Sequence, residues 1–439
     1  MVDGANPQGM RLSAGQNHFW LTYTLSEDES YVGRMIDAKL ISCIVNRYNA
    51  TDYSTYTMEL VDMMTETDPP SAKTIVAPPV THSYYYVGGA AGTGTYVPGY
   101  STFADLAYAL SGSGFLADIE VRVIGNITET MPVNFTGNPV SDDYEIYIRP
   151  YLGSYTITSA IDDPDLGVLN FIGHNKIRIE GNYQGNPGGL TLAKTVNCSA
   201  VRVVNCADFS ISNCNLSGVV DVITLSNANN PIITGNTLRN ANNFAVKIEN
   251  STNAKIGENI IDGMNSTIFN GVLLNNTNNS EVYRNYINTL SATNNNARAF
   301  LIQNNATGVH IHNNTIGNIN APGGYTASAF EIDANNISVN YNTVIIDNSQ
   351  ASNVSVINVT TTNVSNISWI GNLFINKVPT SPGTNSHFIS LPVSVTSGMF
   401  NPEQVENNLY NGISSFAITD GNLVNLANWR QSGADQNSN

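Results

Sequence analysis

The chain has 439 residues, 41% hydrophobic and only 12% charged, with a formal net charge of -16 and a pI near 4.6. This acidity excludes nucleic acid and anionic membrane surfaces as partners, since both need basic patches. No apolar run approaches the ~18 residues of a membrane span, so no membrane insertion is expected, and the opening MVDGANPQGM lacks the basic start and apolar stretch of a signal peptide. The charged fraction is half the ~25% usual for globular proteins. Asn, Thr, Ser and Gly take its place, which suits a solenoid with polar, uncharged outer faces.

Residues 1–80 read as a β-rich unit. Phe19, Leu21 and Tyr23 alternate, as do Leu40, Ser42, Ile44 and Asn46, with a polar loop, Ser26–Tyr31, between them. Gln16-Asn17-His18-Phe19-Trp20-Leu21-Thr22-Tyr23, followed by Val32-Gly33-Arg34-Met35-Ile36-Asp37-Ala38, resembles a β-rich module of large Bacteroidota surface and secreted proteins, found beside sialidase-type (BNR) repeats. His18 stands where the module usually has Tyr, and Thr24 where it has Asp. The module carries further strands upstream, so the resemblance implies a partial β-sandwich-like unit cut near its middle. It also implies an extracellular or cell-surface protein exported by the type IX route.

A Pro-rich linker follows at 68–82. Tyr84–Val87 reads as a strand. Ser101 is placed to cap a helix over Thr102–Leu110, with Phe103, Leu106, Ala107 and Leu110 on one face. A solenoid end exposes core and unpaired edges, so a cap helix near 101–111 is expected to cover it. Coils are expected at Ile119–Ile124, Tyr144–Ile148 and Val168–Ile172. Between the last two, Asp162, Asp163 and Asp165 form an acidic loop, a weak candidate for calcium because it lacks the EF-hand layout.

From Ile177 to Phe374 one phrase repeats: apolar, any, apolar, any, any, Asn, any, apolar. Its Asn slot falls at Asn182, Asn236, Asn259, Asn285, Asn314, Asn342 and Asn372, with Cys214 taking one slot and Asn408 adding another. From Cys214 the steps are 22, 23, 26, 29, 28 and 30 residues, a solenoid period. The paired apolar positions alternate as in strands. A second set of inward pairs, from Ile223/Leu225 to Ile357/Val359, keeps nearly the same period half a coil out of step. Two columns with one period predict an all-β, right-handed parallel β-helix over 81–412, with stacked Asn side chains satisfying backbone groups at a bend and tolerating its αL backbone. Cys198, Cys206 and Cys214, spaced by eight, read as small buried corner residues or one disulfide, without the CxxC spacing of zinc sites.

Chemistry on such a fold belongs to outward columns. One carries Glu331 and Asp333, with Gln303 a coil earlier and Arg298 nearby. Two carboxylates on a strand face can hold Ca²⁺ or act as an acid/base pair, and lyases of this kind add an Arg or Lys base. The other column carries Glu281/Tyr283 and His310/His312. The imidazoles can share a metal, and Tyr283 can stack on a sugar. The bland reading, a solvated polar face, competes at each.

Residues 413–439 read as a last coil. Leu426–Gln431 and Asp435 resemble a late coil of the same surface proteins, after which a further strand usually follows, so a truncated end is expected. The sequence therefore points to a structural or adhesive surface segment, with glycans or other surface proteins as partners and no obligatory cofactor. The alternative is a polysaccharide lyase or glycoside hydrolase, centred on Arg298, Glu331 and Asp333, acting on an acidic polysaccharide.

Overall fold

The computed structural model describes four strands before residue 84. From 84 it describes the chain to 438 apart from 90–98, 114, 138–142, 195, 219, 267–268, 348, 393–398, 413–414, 420–421, 432–434 and 436. The chain divides into two compact units, Met1–Ala77 and Pro78–Asn439. In the first, Met35–Ile36 pairs antiparallel with Lys73–Thr74, and Ser42–Tyr48 with Thr55–Val61. The strand expected over Phe19–Tyr23 lies outside the described residues.

The second unit is a right-handed parallel β-helix. One coil runs through Glu281–Tyr283 in the first sheet, Tyr286–Ile287 in the second and Ala297–Gln303 in the third, then starts again at Thr307. Among the described residues these sheets have 13, 11 and 12 strands. Alternation places one inward side chain above the next. Ile233, Ile256, Val282, Ile311 and Val339 stack in the first sheet, and Val246, Val272, Phe300, Phe330 and Ile357 in the third, all buried. Each such side chain contributes roughly 1.5–3 kcal/mol of burial, and Phe300 adds ring stacking on Phe330 at 5.5 Å.

The Asn column forms the bend between the first and second sheets. From Asn236 each Nδ2 donates to the Oδ1 of the next coil's Asn, through Asn259, Asn285, Asn314, Asn342, Asn372 and Asn408. Each Nδ2 also donates to a strand carbonyl, for example Ile256 O from Asn285 at 2.9 Å. The backbone N–H of each from Asn236 to Asn372 donates to the same neighbouring Oδ1, and that of Asn408 to Ser438 Oγ. Cys214 opens the column through its N–H to Asn236 Oδ1. Asn182 stays outside it, half-buried, with its N–H turned to Glu180. At the far end Asn408 donates to Asp435, which takes the next slot.

One expectation is corrected here. The ladder residues are not themselves αL; the residue before each one is. Asn213, Gly235, Glu258, Arg284, Asn313, Tyr341, Gly371 and Asn407 all have φ between 52° and 66°. Glu, Arg and Tyr at such a position cost about 1–2 kcal/mol each. The hydrogen-bonded ladder one residue later holds the bend in place.

The cap helix spans Phe103–Ser113, starting one residue later and running three further than expected. Its cap is Thr102, not Ser101: Thr102 Oγ1 accepts the Asp105 N–H at 3.1 Å. The buried Glu129 carboxylate takes the N–H groups of Phe103 (2.6 Å) and Ala104 (3.3 Å). Phe103, Leu106, Ala107 and Leu110 enter the core cluster as expected. At the other end the third-sheet strand Ser415–Thr419 turns back antiparallel onto Asn422–Val424. The helix Leu426–Gln431 then lays Trp429 on Trp369. Cys198, Cys206 and Cys214 are buried free thiols.

Candidate functional site

Strand register places the outward residues of the first sheet in two columns. One runs Lys255, Glu281, His310, Ser338; its neighbour runs Gly257, Tyr283, His312, Asn340. Tyr283 folds back over Gly257, where a Cβ would come within 2.3 Å of the ring. Its other side stacks on His312, with centroids 5.9 Å apart and planes 15° from parallel. His312 Nδ1 accepts from Asn313 Nδ2 at 3.0 Å, so Nε2 carries the proton and donates to Glu281 Oε1 at 3.0 Å. His310 Nδ1 lies 2.7 Å from Ser338 Oγ. Burial, with help from the carboxylates of Glu258 and Glu281, pushes the Tyr283 phenol up, so it stays neutral.

Glu281, His310, His312 and Ser338 border an open hollow of about 550 Å³, which also takes in Lys255, the amides of Asn253, Asn279, Asn313 and Asn340, and Tyr341; Tyr283 stands behind His312 and does not line it. Tyr341 is 61% exposed and rests its ring on Gly371, where a Cβ would meet it at 2.6 Å. The arrangement offers an aromatic pair, an exposed second ring, and amides that both donate and accept.

The third-sheet cluster is built differently. Arg298 Nε sits 2.7 Å from Glu331 Oε1, an ion contact outside hydrogen-bond geometry, with the two side chains 15% and 9% exposed. Arg298 Nη1 donates to Asn270 Oδ1 at 3.1 Å, and Asn358 Nδ2 donates to Glu331 Oε2 at 3.2 Å. Asp333 accepts from Thr361 Oγ1 at 2.7 Å. Arg298 and Glu331 are thus brought together, but as mutually neutralised partners. Gln303 lies on this sheet, away from Tyr283, His310 and His312. In the acidic loop, Asp162 takes the Asn197 N–H and Asp163 the Asp165 N–H, both as loop caps. Among the described residues no three metal-ligating side chains converge.

Sequence reasoning missed a further outward column on the third sheet, three residues before the Glu331 column. It holds Asp221, Phe244, Asn270, Arg298, Ser328, Ser355 and His387. A recurring signal marks it: a variable residue, a second residue at the bend, then apolar, any, apolar. Burial raises the Asp221 carboxyl and lowers the His387 imidazole.

No family model and no curated protein sequence matches the chain. Three solved structures illustrate the likeness. A periplasmic alginate epimerase is 14% identical over 69% of this chain and 74% of its own, with a TM-score of 0.32. The A-module of a mannuronan C-5 epimerase from Azotobacter vinelandii is 11% identical over 72% and 83%, with a TM-score of 0.32. The tailspike protein of an E. coli bacteriophage, HK620, in complex with a pentasaccharide, is 14% identical over 76% and 59%, with a TM-score of 0.35. The likeness is one of fold. Among the described residues no helix is long and apolar enough to cross a membrane.

Proposed function

We propose that this β-helix is a glycan-binding, adhesive segment of a bacterial surface or secreted protein, and that a sugar sits in the first-sheet hollow. The observation that carries this is the exposed Tyr341 ring, which borders, with His310, His312 and side-chain amides, the hollow in front of the Tyr283–His312 stack. A pyranose has an apolar C–H face and a rim of hydroxyls. The first packs on an aromatic ring; the second suits amides and imidazoles, which donate and accept. The net charge of -16 favours neutral over polyanionic glycans. The N-terminal resemblance supports a surface location and type IX export.

The rival reading, a lyase or hydrolase at Arg298, Glu331 and Asp333, finds less support, because both Glu331 oxygens are already engaged. The test is a glycan array probed with the whole chain, followed by calorimetry. Tyr341→Ala, at a ring 61% exposed on the hollow, should weaken binding about tenfold with no change in melting temperature. Unsaturated or reducing ends appearing from pectate or alginate, with or without Ca²⁺, and lost in Glu331→Gln, would replace this reading with the enzymatic one.

A further inference from the structure

The buried outer column of the third sheet carries, near its C-terminal end, an imidazole that nothing satisfies. His387 is 4% exposed, and neither ring nitrogen has a hydrogen-bond partner among the described residues. Register sets it beside Ser355 on one side and Ser415 on the other. The corner before it is tied down: Asn376 Nδ2 donates to His387 O at 3.0 Å, and Thr380 Oγ1 donates to Ser386 O at 3.1 Å.

No opposite charge is at hand to pair with it. The strands on either side, Asn353–Val359 and Ser415–Thr419, contain no ionisable residue. Neither does Leu373–Asn376, which also packs on the His387 strand. In its own strand, Asn385–Leu391, His387 is the one titratable side chain. Lys377, in the corner before that strand, is exposed and carries the same sign as an imidazolium. Further along the sheet, Arg298 and Glu331 neutralise each other. A neutral imidazole is tolerated in such a place, but a buried charge needs a partner. We infer that His387 is an acid-operated latch: protonation of this imidazole releases the strand that carries it, and with it the C-terminal cap of the β-helix.

Its position gives the latch its reach. Beyond Asn385–Leu391 the third sheet has only Ser415–Thr419 and the strand that turns back on it, Asn422–Val424. Phe416, next to Ser415, packs on Trp429 with centroids 5.9 Å apart, and Trp429 covers Trp369 and Phe400. Displacing Ser415–Thr419 to hydrate a charged His387 therefore uncovers the apolar end of the solenoid. Burial alone lowers the His387 pKa below its ordinary 6.5, so the closed end binds the proton more weakly than the open one. The closed end is thus fully held above about pH 6.5 and loses ground as pH falls below it. Glu129, at the other end, has the opposite sign, because there the folded state holds the proton more tightly. Acid thus loosens one end of the β-helix through His387 and not the other.

The test is hydrogen–deuterium exchange read by mass spectrometry on the full chain, at about pH 7.5 and about pH 5, corrected for the intrinsic exchange rate. Protection over Asn385–Leu391 and Ser415–Thr419 should fall about tenfold at the lower pH, while the mid-helix strand Thr307–His312 keeps its own. His387→Gln should abolish the difference. His387→Leu should do the same, and it keeps the test available if a buried amide unfolds this end. Asp435, which accepts from Asn408 Nδ2, is the other buried titratable group here. Asp435→Asn should leave the acid response in place. A loss of protection spread evenly over the chain would overturn the inference. So would a response that survives both His387 variants, or one that disappears only in Asp435→Asn.

Discussion

Replacing Asn285 by Ala removes four buried hydrogen bonds. Asn285 Nδ2 donates to Ile256 O and to Asn314 Oδ1, each at 2.9 Å; its Oδ1 accepts from Asn259 N at 3.1 Å and from Asn259 Nδ2 at 3.0 Å. Two partners keep another bond: Asn314 Oδ1 still accepts the Asn285 N–H, and Asn259 Nδ2 still reaches Ile233 O. The Asn259 N–H loses its partner, and Ile256 O loses an amide donor. With about 1–3 kcal/mol for each stranded group, the cost is about 3–5 kcal/mol, a large part of the ~5–15 kcal/mol that holds a typical protein folded. Asn285→Asp should cost more than Ala, because a carboxylate cannot donate and would face Asn314 Oδ1. The control is Asn215→Ala, an exposed amide bonded to Gly188 O at 3.2 Å, expected to cost under about 0.5 kcal/mol. Urea unfolding followed by far-UV circular dichroism gives both values. A loss under ~1 kcal/mol for Asn285→Ala, or one equal to that of Asn215→Ala, would refute the account of the ladder as the determinant of the bend.

Other consequences can be measured the same way. Glu258 holds φ 59° and makes a solvent-exposed contact with Arg284 at 3.3 Å. Such contacts contribute little, so Glu258→Gly should stabilise the fold by up to about 1 kcal/mol; a lower urea midpoint would show that the bend is unstrained. Burial raises the Glu129 carboxyl above its ordinary 4.5, against the pull of the Phe103 and Ala104 N–H groups. The folded state therefore holds the proton more tightly. Relative to Glu129→Gln, the wild type should be most stable below pH 4.5 and lose ground as pH rises above it; a difference constant with pH would contradict the burial argument. His312→Ala removes an imidazole that lines the hollow and leaves Glu281 unpaired, so it should weaken glycan retention, and unchanged retention on the array would move the site elsewhere.

Much of the fold was legible because a solenoid writes its period into the chain. The inward pairs and the Asn slots needed only counting, and the outward columns Glu281/His310 and Tyr283/His312 followed from them in the register observed. What stayed hidden depended on contacts rather than spacing. Asn182 fits the phrase yet turns to Glu180. The αL residue cannot be read from residue type when Glu, Arg and Tyr all occupy it. Glu331 and Arg298 read as a candidate pair for chemistry, but their mutual neutralisation depends on Asn270 and Asn358 from flanking coils, which no local pattern announces. Tyr341 escaped notice because it lies at a corner, outside the strand columns.

The lengthening of the coils explains this division. Three residues separate Ser217 from Asp221, between the second and third sheets, while nine separate Ile287 from Ala297 at the same corner. The corner from third sheet to first varies less and without a trend: five residues lie between Glu249 and Lys255, five between Asn275 and Glu281, two between Ile332 and Asn335 and seven between Val359 and Ile367. Growth of the repeat up to the Asn285 coil is therefore carried by the corner between second and third sheets. The Asn ladder, on another corner, keeps its register, and the first and second sheets keep open outer faces. The added chain lies beside the third-sheet column that begins each strand, and there Asn270, Ser328, Ser355 and His387 are buried although they lie on the outer column. Burial forces pairing on ionised groups, which is why Arg298 and Glu331 hold each other. The first sheet, without that wall, leaves its imidazoles and the Tyr341 ring at its corner open to a ligand.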